Sequence, residues 1–311
     1  MTESGKKYRL VTRADFDGVV AGGLLIELDI IEGIAFAEPK QMQHGEVEIT
    51  SNDITTNLPY VNGVHLCFDH HLSETIRVGE HDNHIIDPDA PSAARVVYNH
   101  FGGKETFPNI SDDLLEAVDK ADSARYSEED ILAPDPWTLL NFIMDPRTGL
   151  SRFKHFTISN DQLMSDMMVY CRHHPIEDIL AIPDVEERLH LYMEHEEPAE
   201  MQIRRCSTVF GNIVVTDLRG EDTIFACNRF TVYAHFPEVN ISMQILPSDD
   251  GERTVIAVGK SILNRNSKTN IGALMLEYGG GGHDAAGTCQ VPNDKADDVI
   301  EDLKARIRGE G

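Results

Sequence analysis

Over its first hundred residues the chain alternates short apolar runs with helix signals, and this alternation restricts the fold more than any other feature of the sequence. Tyr8 to Thr12 reads as a strand, followed by a turn and an apolar helix beginning near Gly18. Ile34 to Ala37, Val47 to Thr50 and Val64 to Phe68 are further short strand candidates. Asp89-Ala-Pro-Ser92 opens a helix over Ala93 to Phe101, which Gly102-Gly103 closes. Strands spaced by helices cannot pair as hairpins, so they build a mainly parallel sheet with helices on its faces.

The pattern then changes twice. Residues from about Ser111 to Arg205 read as mostly helical, punctuated by Pro183 and Pro198, with a charged stretch from Glu186 to Glu200. After Cys206, strand signals return at Thr208 to Thr216, Thr223 to His235, Asn240 to Leu246 and Thr254 to Val258, with Ser248-Asp249-Asp250-Gly251 as a turn. Asn270 to Tyr278 and Asp294 to Arg308 read as helices. The expected fold class is α/β in two lobes: a mainly parallel-sheet domain over residues 1–195, a linker over 196–206, and a smaller mixed-sheet α/β domain over 207–311. A length of 311 residues suits about two domains.

Charge and cysteine usage exclude several function classes. Twenty-seven Lys and Arg against 53 Asp and Glu give a formal charge of −26. A chain that grips long nucleic acid by its phosphates needs a basic stripe, so that class is disfavoured. A small anion remains compatible where metal ions or a local basic cluster reverse the field. The five cysteines are scattered and form no Cys-x-x-Cys pair. Neither a zinc ribbon nor a disulfide framework is expected, and a reducing, cytoplasmic location is. Met1 to Leu10 has no apolar leader and the longest apolar stretch, Val19 to Ile26, is too short for a bilayer, so no membrane partner is expected.

Three constellations carry chemistry. Asp15-Phe16-Asp17-Gly18 follows the first strand, where residues i and i+2 of an extended segment point two carboxylates the same way. Such hard ligands suit Mg²⁺ or Mn²⁺, although one aspartate there can equally cap the helix. Asp69-His70-His71 follows the strand at Val64 to Phe68, at the end where open α/β sheets bind ligands. One imidazole can hold a metal while the other donates to a phosphoryl oxygen. The pair His173-His174, in a polar helical setting, reads as surface. Gly279-Gly-Gly-Gly-His283-Asp-Ala-Ala-Gly287 is too costly in backbone entropy for an ordinary loop and lets N–H groups approach an anion closely.

Together the motifs resemble the DHH phosphoesterase family with its C-terminal DHHA1 domain, exopolyphosphatase-like branch, and the likeness spans nearly the whole chain. Asp15-Phe-Asp17 resembles the family's first motif, Asp69-His70-His71 its third, and Gly280-Gly281-Gly282-His283 the glycine–histidine motif. The resemblance implies a metal-dependent phosphohydrolase using Mn²⁺ or Mg²⁺. Asp53 in Ser51-Asn52-Asp53 matches the second motif, and Asp122 the fourth, with Asp119 as its rival. Asp15 and Asp53 would then hold one ion and Asp17, Asp53, His70 and Asp122 the other. His71 and His283 are left as the catalytic, phosphate-facing groups.

One position departs from the family. Val11 stands where many members carry a metal-binding histidine, so one tight and one weaker ion site are expected. Gly280, Gly281, Gly282, His283, Lys260, Arg265 and Lys268 are the expected substrate-binding set. The expected substrate is small and phosphorylated: polyphosphate, a short oligonucleotide, or a nucleotide such as phosphoadenosine phosphate. The other readings are a nanoRNA-type hydrolase and, in a different class, a phosphate-binding regulator without catalysis. A homodimer is compatible with this picture.

Overall fold

A computed structural model describes residues 5–310 apart from Lys154 and Asp249. The chain divides into two compact units, one made of residues up to Arg125 with Pro134–Leu191, the other of Tyr126–Ala133 with the residues from Tyr192 onward. The architecture is α/β, with one parallel and one mixed sheet.

In the first unit, β1 (Tyr8–Thr12), β2 (Ile31–Phe36), β3 (Asp53–Thr56), β4 (Leu66–Asp69) and β5 (His84–Ile86) form a parallel sheet in the order β2-β1-β3-β4-β5. Tyr8, Leu10 and Val11 are fully buried, as expected of a parallel strand covered on both faces. Helix Phe16–Glu27 leaves β1 through Asp15, whose side chain accepts a hydrogen bond from Gly18 N. That helix packs closely: a Cβ on Gly22 would stand 2.7 Å from Met168 Sδ of helix Asn160–Tyr170 and 2.8 Å from Leu10 Cδ2. The chain passes from β1 outward to β2 and returns to β3 on the other side. The β1/β3 junction is therefore the switch point at which sheets of this kind form a ligand crevice.

In the second unit, β6 (Ser207–Phe210), β7 (Ile213–Asp217), β8 (Ile241–Pro247), β9 (Arg253–Lys260), β10 (Gly281–His283) and β11 (Ala286–Pro292) run in the order β10-β11-β9-β8-β7-β6. Here β7 pairs with β8 in parallel and the other pairs are antiparallel. Alternation along β8 sends Ile241, Met243 and Ile245 inward, where they join Ile300, Leu303 and Ile307 of helix Ala296–Glu310.

Several elements differ from the sequence expectation. Val47 to Thr50 is not a strand; β3 begins at Asp53 instead. Thr223 to His235 is not extended, because Asn228 Oδ1 accepts from Phe230 N at 3.0 Å and turns the chain into helix Thr231–His235. Thr208 to Thr216 is a hairpin that turns at Gly211 (φ 66°). Residues 196–206, expected as a linker, continue helix Pro183–Cys206, which tolerates Pro198 in its interior. The turn at Ser248 to Gly251 includes Asp249, which lies outside the described residues. Among the described residues no helix is long and apolar enough to cross a membrane.

The glycine run owes its composition to packing as well as to conformation. A Cβ on Gly272 of helix Ile271–Leu276 would lie 2.6 Å from the Gly282 carbonyl carbon and 2.8 Å from His283 N, both backbone atoms. Alanine ordinarily gains about 1 kcal/mol over glycine inside a helix. Gly272→Ala is nevertheless expected to cost the second unit roughly 2 kcal/mol, because neither backbone can yield cheaply. Chemical denaturation checks this, and a neutral or stabilising result would mean that the helix and β10 separate freely.

Candidate active site

The chemistry-bearing side chains of the first unit gather at the C-terminal ends of β1, β3 and β4. Thr56 Oγ1 donates to Thr12 Oγ1 at 2.7 Å, joining β1 to β3 where their chains leave the sheet. Asp15, just beyond β1, accepts from Gly18 N at 3.0 Å and from Asn57 Nδ2 at 3.2 Å, and Arg13 Nη1 lies 3.3 Å away. Asp17, only 2% exposed, accepts from Ala93 N at 3.0 Å and Ala94 N at 2.8 Å. Its carboxylate thus receives two of the orphan amides at the start of helix Ala93–His100.

The start of that helix is itself held in place. Ser92 caps it, accepting from Arg95 N at 3.0 Å and donating to Asp119 Oδ1 at 2.7 Å, while Arg95 Nε donates to Asp119 Oδ2 at 2.9 Å. Asp119 is therefore committed to support. Asp122, one turn further along helix Asp112–Asp122, places Oδ2 2.9 Å from His70 Nε2.

Asp17, His70 and Asp122 bring ligand atoms within 4.8 Å of one another. His70 Nδ1 lies 3.1 Å from Ala90 O, which assigns the proton to Nδ1 and aims the Nε2 lone pair at Asp122. Two acceptors this close require a proton or a cation between them, and His70 Nε2 has no well-aligned hydrogen-bond partner among the described residues. Burial disfavours the imidazolium, but Asp122 and then Asp17 outweigh it and push His70 up to about 9. Burial, then the charge of Asp122, pushes Asp17 up to about 8. Asp122 is moved up by burial but further down by His70, for a net downward shift. Two carboxylates and one imidazole fit a divalent ion of the Mn²⁺ or Mg²⁺ type.

Asp69 is fully buried at the end of β4. Its Oδ1 accepts from His70 N at 2.8 Å and from His71 Nδ1 at 2.7 Å, while Oδ2 has no partner among the described residues. Burial lowers the His71 pKa, Asp69 raises it, and the net shift is upward. Arg147 is a basic neighbour that sequence reasoning missed. Its Nε donates to Asp145 Oδ1 at 2.7 Å, and although burial opposes its charge, Asp145, Asp15 and Asp122 raise its pKa.

Neither a protein-family model nor any curated protein matches the chain. Among solved structures, the pGpG-specific phosphodiesterase PggH of Vibrio cholerae is 50% identical, with 98% of this chain and 100% of that one covered and a TM-score of 0.84. The chain belongs to the DHH family. It is a metal-dependent phosphoesterase, as the Asp-His-His motif and its surroundings imply. RecJ of Thermus thermophilus (12% identity, 98% and 52% covered, TM-score 0.52) and CDC45 of Entamoeba histolytica (7%, 97% and 95%, 0.55) share the fold.

Against this family pattern, two expected positions shift. Asp53 opens β3 at the N-terminal end of the strand, paired in register with Arg9, whose Nε lies 2.6 Å from Asp53 Oδ1. Asp53 Oδ2 also accepts from Thr50 N at 2.6 Å. Four strand residues, about 13 Å of chain, separate it from the C-terminal strand end, so Asp53 stands apart from the Asp17, His70 and Asp122 cluster. Asn57 occupies the C-terminal end of β3 instead, and its position just past the Asp53–Thr56 strand was the available signal. Val11 is fully buried among Ala37, Met42 and Leu58, and its side chain belongs to the apolar core.

In the second unit, Gly281–His283 forms edge strand β10, with His283 exposed. Lys260 Nζ is 2.6 Å from Asp284 Oδ2, so part of the expected basic cluster is already neutralised. Arg265 and Lys268 are exposed, with Arg265 Nε donating to Ile262 O at 3.0 Å.

Asp53→Asn is expected to cost about 1–3 kcal/mol of stability at neutral pH, by breaking a half-buried ion pair, and to leave metal content unchanged. Burial raises the Asp53 pKa, but Arg9 and Thr50 outweigh burial and hold it below the ordinary range. The pair's contribution is therefore full above pH ~4 and fades as pH falls through the lowered value. Denaturation together with metal analysis checks this, and loss of bound metal would restore Asp53 as a ligand.

An ion taken up by Asp17, His70 and Asp122 would compete with protons, because both Asp17 and His70 are shifted upward, to about 8 and about 9. Apparent affinity should accordingly rise from roughly pH 7 toward 9, with net proton release. Calorimetry in buffers of different ionisation enthalpy measures the release directly; zero release at pH 7.5 would contradict the protonated resting site.

Proposed function

We propose that this chain is a phosphodiesterase that hydrolyses pGpG or a closely similar linear dinucleotide to mononucleotides. The observation that carries this reading is the 50% identity, over essentially the full length of both chains, to a pGpG-specific phosphodiesterase. The acidic balance of −26 agrees with a short substrate rather than a long strand.

In this reading Asp17, His70 and Asp122 hold one tight divalent ion, Mn²⁺ or Mg²⁺, and a weaker ion site lies toward Asp15. When bound, a divalent ion supplies Lewis acidity toward a phosphoryl oxygen and acidifies water for attack at phosphorus. The protein's own residues do the remaining work. Ala93 N and Ala94 N keep the Asp17 carboxylate aimed, and Ala90 O keeps the His70 ring in one tautomer. Asp69 holds His71 by Nδ1 and favours its charged form, suited to donating a hydrogen bond to a non-bridging phosphate oxygen or the departing alkoxide. His283, Gly280–Gly282, Lys260, Arg265 and Lys268 remain the candidates for holding the rest of the substrate.

The exopolyphosphatase-like reading addresses the same site chemistry with a substrate that lacks bases. A Mn²⁺-supplemented panel of pGpG, pApA, longer oligonucleotides, cyclic dinucleotides, phosphoadenosine phosphate and polyphosphate separates the two. The expected result is fastest turnover of pGpG, and a loss of roughly 100-fold or more in kcat for Asp122→Asn. Faster phosphate release from polyphosphate than GMP release from pGpG would overturn the assignment.

A further inference from the structure

Asn57 is an uncharged side chain that reaches into the carboxylate cluster by hydrogen bonding to Asp15. It is 1% exposed and adopts left-handed backbone geometry, φ 54°, a conformation that asparagine and aspartate accept more readily than other side chains. Its backbone is pinned by Asn57 N donating to Phe68 O at 3.0 Å. Its Nδ2 donates to Asp15 Oδ1 at 3.2 Å, which sets the orientation of the amide, and Oδ1 is buried with no hydrogen-bond partner among the described residues.

The chemistry of this contact separates Asp15 from the other carboxylates. A second carboxylate in place of Asn57 would set two anionic oxygens about 3 Å apart, an arrangement that needs a proton or a cation to hold it together. The amide removes that need by donating. Asp15 also receives Gly18 N and lies 3.3 Å from Arg13 Nη1. It therefore has two hydrogen-bond donors and a guanidinium around it, whereas Asp17, His70 and Asp122 bring ligand atoms within 4.8 Å of one another.

We infer that Asn57 replaces a cation: its amide neutralises the surroundings of Asp15, so that the resting enzyme holds one tight divalent ion, and residue 57 sets the metal stoichiometry. This rests on the reading of Asp17, His70 and Asp122 as the tight ion site. Asn57→Asp keeps side-chain shape and tolerates the backbone geometry, but exchanges a donor for an anionic acceptor. It should create a second site from Asp15 and residue 57, with the unpartnered Asp69 Oδ2 nearby on the adjoining strand end.

The experiment is Mn²⁺ titration of the chelator-stripped full-length protein, by calorimetry and by electron paramagnetic resonance. Wild type should bind about one tight ion with an isolated Mn²⁺ spectrum, and Asn57→Asp about two, with the spin-coupled spectrum of a close pair. The second ion should bind on the order of 10–100-fold more tightly in the variant. Two equally tight ions in wild type overturn the inference, and that arm stands even if the variant does not fold. A folded Asn57→Asp with unchanged stoichiometry overturns it as well. Asp122→Asn tests the underlying reading separately: if wild type binds one tight ion and this variant keeps it, the ion site itself is misassigned.

Discussion

Burying Asp17 is the electrostatic constraint around which the first unit is arranged. A carboxylate removed from water costs several kcal/mol unless dipoles or charges replace its hydration. Here the replacement is the start of helix Ala93–His100, whose first amides point at both carboxylate oxygens. That solution imposes others. The helix must begin where it does, so Ser92 caps it, and Asp119 and Arg95 fasten the cap. Each layer of hydrogen bonds exists to aim the one inside it.

The second consequence is that neighbouring acids have unequal roles. Asp15 is surrounded by donors, Asp69 orders the two histidines that follow it, and Asp119 supports a helix. Asp17 and Asp122 alone are left crowding an imidazole. A site with five carboxylates at strand ends and helix ends thus has a single point where acids crowd an imidazole. Environment, rather than residue type, divides the labour among them.

Much of this was legible in the sequence. Alternating strand and helix signals identified the parallel sheet, and the Asp-x-Asp and Asp-His-His turns fell at C-terminal strand ends because each directly follows an apolar run. Asp122 was legible as the fourth-motif acid only through the family resemblance, with Asp119 as its rival; helix phase separates the two, turning Asp119 to Arg95 and Asp122 to His70. Asp53 misled because an aspartate before a short strand and one after it look alike until the strand's limits are known, and Asp53-Ile-Thr-Thr56 has weak apolar character. Asn57 and Arg147 were missed because an amide and a turn arginine carry no metal signal of their own. In the second unit, Thr223 to His235 read as β-rich, yet the side chain of Asn228 redirected the backbone, a local contest that β propensity does not register.

Helix Asp112–Asp122 carries its supporting acid and its site acid three residues apart on the same last turn. Its phase therefore acts as a setting with little latitude. Removing or adding one residue within the helix would rotate that turn by about 100° and shift it by about 1.5 Å, withdrawing both acids at once. Side-chain substitutions on its solvent face leave phase untouched. The solvent face of this helix can thus change in composition, whereas its buried face, with Leu114, Leu115 and Val118, and its length are both fixed by what they position.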